Sequence, residues 1–152
     1  MRHTALLLFF LVFSVAGLAQ KSIEGLWEGK MTFGGITSEE GYDFALYLKL
    51  NGRKVSGHST ITLEDGKTID MEVNGILYHD QSIYMTDVKF MPIEGVSAAP
   101  PFNRKYQLIY HRSIFGSTLD GWWQEVRDKK IMDEKRPRGR IFLKKVKKSQ
   151  KA

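Results

Sequence analysis

Cysteine is absent from all 152 residues. No disulfide can brace the fold, and neither a thiolate metal site nor a lipid-modified cysteine is open to it. Proline is scarce, and three of the four lie between Pro92 and Pro101. That stretch is thereby excluded from regular sheet, while the rest is left almost free of strand breakers. After residue 19 no run is long and apolar enough to span a bilayer as a helix, and the remainder reads as soluble. No segment beyond that point keeps a helical period.

Catalytic signatures are missing too. There is no G-x-S-x-G, no H-E-x-x-H and no glycine-rich phosphate loop. The three histidines after the leader, His58, His79 and His111, have no metal-ligand spacing. Asp70 and Glu72 share a strand face without an identifiable partner. The chain therefore reads as non-enzymatic, with no cofactor and no metal.

What is present begins with a leader. Arg2, an apolar run from Ala5 to Val15, and Gly17 and Ala19 at the −3 and −1 positions before Gln20 have the anatomy of a secretory signal peptide over 1–19. Export follows as an expectation, to the periplasm or outside the cell. Residues 20–146 are enough for a single domain with its own core, and 147–152 form a basic tail. From Arg127 to Ala152 there are twelve Lys or Arg and three acids, a net +9; residues 20–126 carry ten and fourteen, a net −4. A basic end of this kind suits an anionic surface. With no groove-reading motif beside it, nucleic acid is not an expected partner.

Period-two alternation predicts eight strands, over 25–33, 43–50, 54–62, 67–78, 82–90, 104–112, 117–126 and 139–147. Asn51-Gly52 signals a two-residue hairpin, and Asp65-Gly66 another turn. Asn74-Gly75 is read as a bulge inside the fourth strand, since a turn there would leave Ile76-Leu77-Tyr78 as a very short strand. Eight consecutive strands predict an all-β, antiparallel up-and-down barrel, with a β-sandwich as the alternative. Parity then sorts the connections. The long ones, 34–42, 91–103 and 127–138, share one end, a loop-rich mouth. The short ones, 51–53, 79–81 and 113–116, share the other with both termini.

Gly25-Leu26-Trp27, at the start of the first strand of such a barrel, resembles the calycins, meaning lipocalins, fatty-acid-binding proteins and avidins. The resemblance implies that Trp27 closes the barrel floor beneath a basic residue of the last strand, Arg140 first and Arg138 second. The lipocalin T-D-Y motif has no counterpart, since Thr86-Asp87 is followed by Val88.

The aromatic residues Trp27, Phe44, Tyr106, Tyr110, Trp122 and Trp123 lie on sequence-distant strands around the barrel. They either fill its interior or line a cavity. The apolar loop from Val96 to Phe102, at the mouth, favours a cavity with a cover. The leading expectation is a non-enzymatic, calycin-like barrel that binds a small apolar or amphipathic ligand at its loop-rich end. Phe44, Leu46, Tyr106, Tyr110 and Trp123 would line that site. The alternative is a packed domain that interacts through its basic C-terminal region.

Overall fold

The computed structural model describes residues 22–35, 37–126 and 137–147. The expected signal peptide (1–19), most of the 127–138 connection and residues 148–152 lie outside the described residues. Eight strands follow in order: β1 (Gly25–Thr32), β2 (Gly41–Asn51), β3 (Lys54–Thr62), β4 (Thr68–Leu77), β5 (Ser82–Phe90), β6 (Arg104–His111), β7 (Thr118–Glu125) and β8 (Arg138–Lys145). Each pairs antiparallel with its sequence neighbour, and β1 pairs with β8 to close the barrel. The up-and-down barrel is thus observed and the sandwich is not.

The strands form where β-branched and aromatic residues alternate with polar ones. Phe44, Leu46 and Leu48 of β2 face inward, as do Ile83 and Met85 of β5, with exposed or half-buried neighbours between them. The mouth gathers the β1–β2, β3–β4, β5–β6 and β7–β8 connections, and the floor gathers the other three.

Two local expectations shift. Asn51 pairs with Lys54, so the hairpin turn is Gly52-Arg53. Gly52 takes φ 61°, as the first central residue of a glycine-led hairpin does. Asn74 and Gly75 stay in register with both neighbouring strands. The bulge falls instead on β5, where Glu72 faces Lys89 and Val73 faces Asp87, leaving Val88 as the extra residue. Gly75 belongs in the ladder because a Cβ there would lie 2.1 Å from the Tyr84 carbonyl oxygen.

Closure depends on close backbone approach at the β8–β1 seam. A Cβ on Gly139 would sit 1.8 Å from the Thr32 carbonyl oxygen and 2.6 Å from Nε1 of Trp123. Gly29 is tight against the Phe142 carbonyl, so its missing side chain admits β8. Gly139→Ala should lower unfolding stability by about 2–3 kcal/mol, the cost typical of overpacking. Lys144→Ala, on the exposed face of the same strand, should change it by less than about 0.5 kcal/mol. Urea unfolding followed by tryptophan fluorescence measures both.

Candidate functional site

Below the mouth the barrel is filled. Phe44, Leu46, Tyr106 and Trp123 are each no more than 2% exposed and Tyr110 is 6%. A side chain lining a water-sized void would show surface to it, so these five belong to a packed core. Phe44 and Tyr106 stack at 6.0 Å between ring centroids, and Tyr110 packs edge-on to Trp27. The five residues expected to line a cavity are therefore interior packing, and of the two interiors that eight strands allow, filled or ligand-holding, this one is filled.

Space opens one layer higher, at the rim. A cleft of about 990 Å³ lies there, between the β1–β2 connection, the β3–β4 turn and the β5–β6 loop. Its walls include Phe33, Tyr42, Leu63, Ala98 and Phe102, with Glu39, Glu40 and Glu64 also among its lining residues. The β5–β6 loop is fastened across the mouth to the start of β4. Thr68 donates its N–H to the Val96 carbonyl, and Ala98 donates to the Thr68 carbonyl.

Arg104 contributes to the lining of this cleft, although it is only 2% exposed. It opens β6 and faces inward because it shares a strand face with Tyr106, Leu108 and Tyr110. Asp87 of β5 meets it there. The Asp87 carboxylate accepts the Arg104 backbone N–H at 2.8 Å and the Tyr106 hydroxyl at 2.7 Å. The guanidinium Nη1 stands 3.7 Å from Asp87 Oδ2, an ion-pair distance too long for a hydrogen bond.

Both Nε and Nη1 of Arg104 are buried without a hydrogen-bond partner. The cation lies 5.2 Å from the Phe102 ring and 5.8 Å from Trp123, within cation–π range. Phe102, on the loop, stacks at 6.2 Å against Trp123. Chemically, the base of the cleft is a guanidinium beside the Asp87 carboxyl group, with two unmatched donors under an aromatic cover.

Alternation along β5 and β6 places Asp87 and Arg104 inward, so extending the two apolar faces by two residues each finds the pair. The rim residues Phe33 and Tyr42 belong to loop-to-strand junctions, where period-two reasoning has least to work with.

At the floor, Trp27 is fully buried and donates its indole N–H to the Ile23 carbonyl at 2.8 Å. The cation above it is Lys145, with Nζ 5.5 Å from the ring centroid and a hydrogen bond to the Ser22 carbonyl. Arg140 does not take that place. It faces outward, over Phe142 at 4.4 Å and Trp122 at 5.3 Å. The register explains this, since Trp27 pairs with Lys145, and Arg140 lies near the opposite end of β8. Arg138 is exposed at the mouth end of the same strand. Trp122 is the outward member of its pair and is 44% exposed. His58 lies on the outer face of β3, His79 in the β4–β5 turn, and His111 at the end of β6, 3.9 Å from Asp120.

No family model, curated protein or solved structure matched this chain. The cleft must be read from its own chemistry.

Burial pushes the Asp87 carboxyl above its ordinary 3.8, against the Tyr106 and Arg104 donors that pull it down. The folded state then holds a proton where the unfolded chain has released it. Stability tied to this group is greatest below the unfolded value and falls as pH rises through the window up to the raised one. Asp87→Asn cannot titrate. The stability difference between wild type and this variant should therefore move against the wild type as pH climbs from below the ordinary carboxylate value through the raised one. Urea midpoints across that range test it, and a pH-independent difference would contradict it.

Proposed function

We propose that this chain is an exported, calycin-like binding protein whose mouth cleft holds a small amphipathic acid. Arg104 receives the anionic head, and Phe33, Tyr42, Leu63 and Phe102 hold the apolar body. The observation that carries this reading is the buried, cleft-lining guanidinium with two nitrogens lacking partners. Buried polar groups are nearly always satisfied, and an orphaned one calls for an explanation. An entering carboxylate supplies the acceptor, with Phe102 displaced from its place beside the guanidinium.

The rim carboxylates Glu39, Glu40 and Glu64 repel extra negative charge, which favours a single-charge head. Ligand pockets of this type are largely apolar, with few polar groups fixing orientation. Gly25-Leu26-Trp27 and the closed eight-stranded barrel are compatible with a calycin-like assignment.

Calorimetric titration with dodecanoate and with dodecanol tests the reading. A charge-assisted hydrogen bond contributes about 1.5–3 kcal/mol, so the alcohol should bind about tenfold to a hundredfold more weakly. Arg104→Gln should abolish that preference. Ala99→Trp, at an exposed lining position away from the ion pair, should block both ligands while leaving the fold intact. Equal binding of acid and alcohol, or unchanged binding by the Ala99 variant, would overturn the proposal.

A further inference from the structure

The floor end carries a feature that the mouth cleft does not use. The connection between β6 and β7 ends in Ile114 and Phe115, which are 93% and 91% exposed. Their turn is well built. Phe115 N–H donates to the Ser113 hydroxyl, Gly116 N–H donates to the Ser113 carbonyl, and Gly116 takes φ 132°. Ser117 is tied to the Tyr110 hydroxyl at 3.1 Å. Two large apolar side chains are thus held out into water by a fixed turn. Leu26, Tyr47 and Val146, also partly exposed, form an apolar shoulder beside them.

Cations share the floor end with this tip. Lys49, Arg53, Lys54, Arg112, Lys144 and Lys147 are all exposed at the floor end. None of the six takes part in an ion pair among the described residues. Three acids lie near this end: Glu24 accepts the Leu50 N–H, Asp80 accepts from Ser82, and Asp120 faces His111 at 3.9 Å. Lys148 and Lys151, which follow in the sequence, add to the same sign.

We propose that the floor is a docking surface for a bilayer containing anionic phospholipid. Ile114 and Phe115 enter the headgroup–acyl boundary while the lysines and arginines at the same end lie against phosphates. Interfacial anchoring strengthens with buried apolar area and with attraction to anionic lipid, and juxtamembrane cations add to it. A convex two-residue tip needs no matching pocket in a fluid bilayer, whereas a protein partner would have to supply one. A second copy is disfavoured because an isologous pairing would set the cations against each other. In this orientation the mouth, at the opposite end, faces away from the bilayer and stays open to water.

The absence of cysteine makes a direct test available. Phe115→Cys and, as a mouth-side control, Ile93→Cys can each carry one environment-sensitive fluorophore on the chain beginning at Gln20, which contains every described residue. Vesicles of phosphatidylcholine alone are compared with an equimolar mixture with phosphatidylglycerol. The label at 115 should shift to the blue on the mixed vesicles only, and the label at 93 should not move. In flotation, Ile114→Ser with Phe115→Ser should lower the bound fraction about tenfold, and raised salt should lower it for the wild type. Equal response of both labels, no binding to mixed vesicles, or flotation unaffected by the double substitution would overturn the proposal. So would a tip-dependent dimer in sedimentation.

Discussion

One hydrogen bond joins three strands and sets the geometry of the mouth. The indole N–H of Trp123, on β7, reaches over Gly139 of β8 to the Thr32 carbonyl of β1 at 2.8 Å. Trp123 can make it only because Gly139 has no side chain. The bond secures the seam where the first and last strands meet and fixes the indole as the surface against which Phe33 and Phe102 pack. Arg104 lies beside that same ring. Barrel closure and the base of the cleft therefore share one side chain.

The packed interior follows from this tight closure and decides where function can reside. A barrel of eight strands filled by Phe44, Leu46, Tyr106, Tyr110 and Trp123 has no room for a guest beneath the rim. What remains are the two ends, and they differ in chemistry. The mouth holds an apolar cleft over a buried guanidinium, with carboxylates around it. The floor is plugged by Ile23, Trp27 and Lys145 and displays exposed cations at the same end as an apolar tip. The two proposals rest on this difference, a ligand at the mouth and a bilayer at the floor.

Most of the architecture was legible in the residues because strand alternation has an unambiguous period. The strand boundaries and the sorting of connections into two ends followed from it. Asn74-Gly75 shows the limit. Its dipeptide chemistry suits a break, yet close approach of the Tyr84 carbonyl keeps it in the ladder, and the irregularity moved to Val88. Arg140 shows another. Which basic residue sits over Trp27 depends on β1–β8 register, which pairs it with Lys145 and leaves Arg140, five residues earlier, on the outward face. The interior aromatics were recognised as inward but assigned to a lining, since sequence does not reveal whether neighbouring rings meet. Arg104 and Asp87 were readable from alternation; that their charges meet under the rim was not, because it depends on pairing across β5 and β6 near the bulge.

The most direct test of the account is to watch the Arg104 guanidinium while an amphipathic acid enters. Heteronuclear NMR of the arginine Nε–H groups during a dodecanoate titration does this. A saturable shift of the Arg104 Nε–H together with the Phe33 and Phe102 amides is expected, while Leu48 and Tyr110, deeper in the barrel, stay in place. Movement of those core residues with a silent Arg104, or no saturable shift at all, would contradict it.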